Sequence, residues 1–232
     1  MRTVLVVAAE RRELRGVLRR SSRVRRLGWP VRFARSGELN GQRLLLVAHG
    51  PGPRLACEAL EAALRQQRPD ALLSTGFCGA LDANLGMGEV FVATRVENGT
   101  QAFEAAQPAT GRVFRSGALI SIDRFVATVA EKRRLSAGGA AAVDMEAAAV
   151  AGRAHQEGLP FYCIRVVLDR ASDGFKLDFN GLRSPDGRFS RARILRAALA
   201  RPWAAVPELM RLERRGRMAA RALGDFLADC RF

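Results

Sequence analysis

Short apolar runs alternate along the chain with amphipathic segments of helical period. Thr3–Val7 reads as a buried strand, and the mixed run after it predicts a helix from about Arg11 to Arg20. Val31–Ala34 and Gln42–Ala48 read as two strands joined around Asn40-Gly41, a tight-turn pair. His49-Gly50-Pro51-Gly52-Pro53 then opens an Ala- and Leu-rich helix near Arg54–Gln66. Ala71–Thr75, Val90–Val96, Leu119–Ile122 and Ala140–Val143 are further strands, with helices predicted over Asp123–Leu135 and Met145–Gln156. Phe161–Leu168 is a long apolar strand leading into Asp169, after which residues 174–190 turn polar and Gly-rich, a loop suited to a lid or binding segment. Arg191–Leu199 and Pro202 to about Ala228 read as Arg-rich helices, Pro202 fitting a first helical turn. Strands alternating with helices imply an α/β layered domain whose functional loops gather at strand ends. With no internal repeat or linker, residues 1–232 read as one domain with a helical extension at about 191–229.

Composition narrows the class. Hydrophobic residues at 48% and charged residues at 26% suit a globular protein with a real core. No apolar run reaches the roughly eighteen residues of a membrane span. Met1–Ala9 passes directly into Glu10-Arg11-Arg12-Glu13 without a small-residue cleavage site, so a cytoplasmic protein is expected. Cys57, Cys78, Cys163 and Cys230 show no CxxC spacing, and His49 and His155 are the only histidines, which disfavours a metal centre or a Ser-His-Asp hydrolase. Lys+Arg number 38 against 23 Asp+Glu, and only Lys132 and Lys176 are lysines. Two readings of that charge stay open: an anionic partner, or a codon bias that places arginine wherever a solvated face accepts it.

Three acidic residues stand at element junctions, where an α/β fold places its ligand crevice. Glu13 follows the first strand, Glu146 lies between a short strand and a helix of tiny side chains, and Asp169 ends the long apolar strand. Taken singly they read equally as a solvated first-turn residue, a dipole-complementing carboxylate and a helix cap.

Their flanking motifs change that. Ala8-Ala9-Glu10-Arg11-Arg12-Glu13, Gly50-Pro51-Gly52, Thr75-Gly76-Phe77-Cys78-Gly79-Ala80, Val143-Asp144-Met145-Glu146-Ala147 and Arg165-Val166-Val167-Leu168-Asp169 together resemble the nucleoside phosphorylase/nucleosidase superfamily, over about residues 1–175. The methylthioadenosine/S-adenosylhomocysteine nucleosidase branch is the most similar. The resemblance implies a three-layer α/β/α fold around a mixed, partly barrel-like sheet, N-ribosyl cleavage of a purine nucleoside, and no cofactor. It puts Glu13 where a carboxylate activates water, Glu146 where one holds the ribose hydroxyls with Met145 beside the sugar, and Asp169 where a proton is donated to the purine. Phe125, followed by Val126, matches the aromatic that stacks on the base, and otherwise reads as helix core. Gly52, Gly76 and Phe77 belong to the glycine motifs that line the same pocket. Members commonly form homo-oligomers.

Those residue types suit the chemistry independently. Cleaving an N-glycosidic bond builds negative charge on the leaving base, and a carboxylic acid kept protonated by a partly apolar site, as expected of Asp169, relieves it. A second carboxylate orients water. A third accepts from two vicinal hydroxyls.

The sequence also departs from the family pattern. Leu168 replaces the serine usual before the catalytic Asp, which puts adenine specificity in doubt. Phe77 replaces a small residue that the phosphorylases use for phosphate, and Ser74 stands where they keep an arginine. Glu13 is present, so hydrolysis is favoured over phosphorolysis with inorganic phosphate as co-substrate. Arg54, opening the helix after Gly52, is a weak candidate anion contact and otherwise a solvated helix-start residue. The stretch Arg201-Pro202-Trp203…Pro207-Glu208-Leu209-Met210-Arg211-Leu212 is similar to the tail of hopanoid-biosynthesis-associated phosphorylases, implying an adenosylated lipid substrate. Its apolar stripe, with Arg211, Arg214, Arg215 and Arg217 around it, suits either a bilayer surface, so peripheral contact with the inner membrane face, or packing on its own domain or a second copy. A basic nucleic-acid-binding module is the competing class, but Trp and Tyr number only three and no recognition motif appears.

Overall fold

The computed structural model describes residues 1–184, 188, 193, 195, 196, 199 and 202–232. Ten strands form one mixed sheet: β1 (Thr3–Ala8), β2 (Ser22–Arg26), β3 (Phe33–Leu39), β4 (Gln42–Ala48), β5 (Ala71–Ala80), β6 (Val90–Glu97), β7 (Ala102–Glu104), β8 (Arg115–Ser121), β9 (Ala142–Asp144) and β10 (Phe161–Asp169). The helices are α1 (Arg15–Arg20), α2 (Pro53–Leu64), α3 (Val129–Ser136), α4 (Ala147–Gln156) and α5 (Pro202–Leu227).

The order is β10-β6-β8-β9-β5-β1-β4-β3-β2, with β10 pairing β5 as well, so five strands close into a barrel. β5 makes this possible. Its first half runs parallel to β1, its second half pairs antiparallel with β9, and β10 runs parallel along nearly its whole length. Strand alternation feeds two apolar layers. Leu5 and Val7 face α2 and α4, whose alanines allow close approach, whereas Val4 and Val6 face the α1 and α5 side with Val17, Leu223 and Phe226. The architecture is therefore the expected α/β/α sandwich around a partly closed sheet.

α1 and α5 cross at glycines. A Cβ on Gly16 would lie 1.8 Å from the Ala220 carbonyl oxygen, and one on Gly224 would lie 2.2 Å from the Gly16 carbonyl carbon. Arg20 clamps the crossing through Asp225 (Nε–Oδ1 2.8 Å). Past α5, Asn40 and Gln42 donate to the Cys230 carbonyl, and Gln42 accepts the Phe232 N–H.

Several boundaries differ from the sequence reading. The first helix starts at Arg15, because residues 9–14 form a turn around the Glu13 carboxylate. The third starts at Val129, where Thr128 and Glu131 form a capping box; residues 123–128 are held instead by Asn180, whose amide bonds both the N–H and the carbonyl of Phe125. The strand expected over Ala71–Thr75 continues to Ala80, and β2 and β7 are additional. Most of the helix expected over 191–199 lies outside the described residues.

Candidate active site

The parallel strands β1, β5 and β10 end on one side of the sheet, and a pocket of about 550 Å³ opens there. Glu13, Met145, Glu146, Asp169, Phe125, Val126 and Phe77 all line it.

Glu13 is buried in the β1–α1 turn, where its Oε2 accepts the N–H groups of Ala9 (2.9 Å) and Glu10 (3.1 Å). Gly76, at φ +142°, leaves room for it. A Cβ there would lie 3.0 Å from Glu13 Oε2 in a backbone conformation that side chains rarely adopt. Burial, then the Glu10 charge, pushes the Glu13 carboxyl up to about 7, against the Glu10 N–H, Arg12 and Arg165. A carboxyl poised near neutrality is a competent base for water.

Glu146 precedes α4, yet it does not cap the helix. Asp144 accepts the Ala147 N–H (2.9 Å) and Ser121 Oγ accepts the Ala148 N–H (2.9 Å), leaving the Glu146 side chain to turn into the pocket. There Oε1 accepts the Gly52 N–H at 2.6 Å. Gly52 sits at φ +96°, where a Cβ would press on Arg183 and Asp123. Burial, with Asp144 and Glu13 nearby, pushes Glu146 up to about 8.

Asp169 has a charged partner beside the partly apolar surroundings expected of it. Its Oδ2 pairs with the Nζ of Lys132, a fully buried lysine on α3. Burial raises the Asp169 pKa, and the Lys132 charge and hydrogen bond oppose it. The same Nζ donates to the Arg170 carbonyl (2.6 Å) and lies 5.8 Å from the Phe175 ring centroid. A buried cation with three such partners is satisfied, as burial of charge requires.

Phe125 packs with Phe175 (4.9 Å between centroids) and Phe179 (4.8 Å), and the three rings form an aromatic corner at the pocket mouth. Arg54 stands apart. It is exposed, pairs with Glu58 one helical turn on, and faces a neighbouring cleft with Asp123 and Arg183.

Sequence reasoning missed two contributions. Arg165, buried within β10, bonds Asp144 (Nε–Oδ2 3.1 Å) and Ser74 (Nη2–Oγ 2.7 Å); its signal was a lone arginine inside an apolar strand. The other is α5, whose Leu209, Leu212, Glu213 and Gly216 wall the pocket. Phe77 packs against this wall, its ring 3.7 Å from where a Gly216 Cβ would stand. Glu208 ties the helix down by accepting the N–H groups of Lys176 and Leu177 (3.1 Å each), and Arg215 pairs with Asp173 (2.8 Å).

A mixed sheet closed by β5 and β10 carries carboxylates where β1 and β10 end and before α4, and the sequence places the class: the chain belongs to the phosphorylase superfamily, matched over residues 24–110 and 97–200. It is similar to the 5′-methylthioadenosine/S-adenosylhomocysteine nucleosidase of Staphylococcus aureus (strain JH9), 25% identical over 173 residues covering 62% of this chain and 76% of that one. In structure it resembles S-adenosylhomocysteine nucleosidase from Streptococcus pyogenes in complex with 5-methylthiotubericidin, at TM-score 0.72, 18% identity and coverage of 98% and 96% of the two chains. It also resembles futalosine hydrolase of Helicobacter pylori, at TM-score 0.70, 16% identity and 97% coverage of each. Among the described residues no group of three or more His, Cys, Asp or Glu side chains is arranged to hold a metal, and no helix is long and apolar enough to cross a membrane.

Proposed function

We propose that the chain, acting as one domain, hydrolyses the N-glycosidic bond of a purine ribonucleoside, a 5′-modified adenine nucleoside being the favoured substrate. The observation that carries this reading is the convergence of Glu13, Glu146 and Asp169 on one pocket with an aromatic corner. Phe125 and Val126 would take the base. Glu146 would accept the ribose hydroxyls, with Met145 against the sugar. Glu13 would draw a proton from water attacking the anomeric carbon while Asp169 protonates the departing purine. Hydrolysis is preferred to phosphorolysis because Phe77 and Ser74 offer no phosphate cradle, Ser74 being engaged by Arg165. The test is chromatographic release of free base from adenosine, methylthioadenosine, S-adenosylhomocysteine and inosine, with and without phosphate. Release without phosphate supports the reading; release only with phosphate overturns the hydrolytic step, and no release overturns the whole.

A second reading, an adenosylated hopanoid lipid as substrate and contact with an anionic bilayer, has its own observation. A groove of about 1110 Å³, lined by Met87, Met210 and Met218 and edged by arginines, shares Leu209 and Glu213 with the pocket. Met210 in the groove and Trp203, on the same helix, are 69% and 78% exposed. Base release from an adenosylated hydrophobic alcohol, with none from methylthioadenosine, would favour this second reading.

A further inference from the structure

Among the described residues two cations are buried, Arg165, which holds Asp144 and Ser74, and Lys132, to which the proposed chemistry gives no task. It does not line the pocket, because Asp169 stands between Nζ and the cavity. A site that needed Asp169 only as a permanently protonated acid would gain nothing from an ammonium against its carboxylate, since that charge favours the ionised form. Nor does the fold need a charge there: Lys132 lies on a short helix already fixed by the Thr128–Glu131 capping box and the Arg124–Glu131 pair. The other charged groups near Asp169 are Asp173 and Arg215, which pair with each other.

We infer that Lys132 is the proton reserve for Asp169: the pair rests as ammonium and carboxylate, and the ammonium hands a proton through Asp169 to the leaving purine. The inference rests on the proposed glycosidic cleavage. As the bond between the anomeric carbon and the purine breaks, its electron pair goes to the base. Nζ gives a proton to the Asp169 carboxylate, which passes it on to the base, leaving a neutral amine and restoring the carboxylate. Water adds to the anomeric carbon and gives its proton to the Glu13 carboxylate. One cation, Lys132, and one anion, Glu13, are thus neutralised together, so the net charge of the site is the same before and after turnover. Release of the Glu13 proton and uptake by Lys132 reset the site through solvent. Lys132 acts through Asp169 and is a positioning residue in the strict sense, since it touches no substrate.

Two substitutions separate supply of a proton from support of the fold. Lys132→Met removes the charge. Lys132→Arg keeps it, but a guanidinium does not give up its proton in proteins. Each would be assayed with methylthioadenosine and with p-nitrophenyl riboside, whose nitrophenolate leaves without being protonated. Both variants should lose about 10²–10⁴-fold in kcat on the nucleoside, with KM changed only a few-fold. On the nitrophenyl substrate both should keep activity within about tenfold, the usual floor of a general-acid contribution being higher. Equal losses on both substrates would reduce Lys132 to structural support, and recovery of nucleoside cleavage in Lys132→Arg would overturn the relay by itself. A wild-type protein inert on both substrates would instead overturn the glycosidic reading, with all its variants.

Discussion

Replacing Glu13 by glutamine should stabilise the folded protein at alkaline pH while abolishing its hydrolytic activity. The carboxyl stands at about 7 in the fold against an ordinary 4.5. Below pH 4.5 it is protonated in both folded and unfolded chains and contributes nothing. Between 4.5 and 7 the unfolded chain ionises first, so stability falls as pH rises, and above 7 the loss is complete. The interval corresponds to about 3.4 kcal/mol at 1.36 kcal/mol per pH unit. Glutamine carries no such loss, and its side-chain oxygen can still accept from the Ala9 and Glu10 N–H groups. Urea unfolding of both proteins at pH 5 and pH 8 should therefore show the variant gaining about 2–3 kcal/mol on wild type between the two. A stability difference that stays constant with pH, or a variant weaker at pH 8, would show that Glu13 is not held near neutrality and would remove the argument for it as the base.

Other expectations follow from the same geometry. Asp169→Asn should fold and lose about 10²–10⁴-fold in base release, because an amide cannot pass on the proton; near-normal turnover would contradict the assignment. Glu146→Gln should erase most of the preference for ribose over 2′-deoxyribose above about pH 8, where Glu146 is ionised, on the order of 1.5–3 kcal/mol for a charged hydrogen bond, read from kcat/KM on the two nucleosides. In wild type, kcat/KM should fall on the acid side of about 7 as Glu13 is protonated, and a flat profile between pH 5 and 8 would count against water activation. Gly224→Ala should lower thermal stability by at least the 1–3 kcal/mol typical of overpacking and raise KM, because α5 must lift from α1; unchanged melting and KM would mean the crossing has slack.

The sequence revealed the parts of the fold that depend on local pattern. The short apolar runs of β1 and β4, the Asn40-Gly41 hairpin and the small-residue face of α4 are local signals, and each led to the right element. What escaped depended on partners distant in the chain. A continuous β5 requires β10 and β9 on its flanks, so the strand expected over Ala71–Thr75 stopped short of Gly76-Phe77-Cys78-Gly79. The segment at Phe125 looked helical because its unwinding is enforced by Asn180, 55 positions away. Asp169 showed its apolar strand but not its cation, since the pairing with Lys132 spans 37 positions and leaves no local trace beyond a lysine in an arginine-rich chain. The arginines of α5 suggested a surface helix, while its buried Leu223 and Phe226 and its contact with the pocket are tertiary facts.

That α5 walls the pocket has a consequence for biosynthesis. The three carboxylates are all in place once residue 169 has been made, but the wall ends at Gly216. At about 5–20 residues per second, the ribosome needs a further roughly 2–9 s to supply the intervening chain. During that interval the carboxylates lie in an open cleft, exposed to water and unable to exclude it. On the proposed function, competence to cleave would be acquired last, when α5 meets Gly16 through Ala220 and Gly224, and a nascent chain stalled short of that helix would carry the carboxylates without the pocket wall.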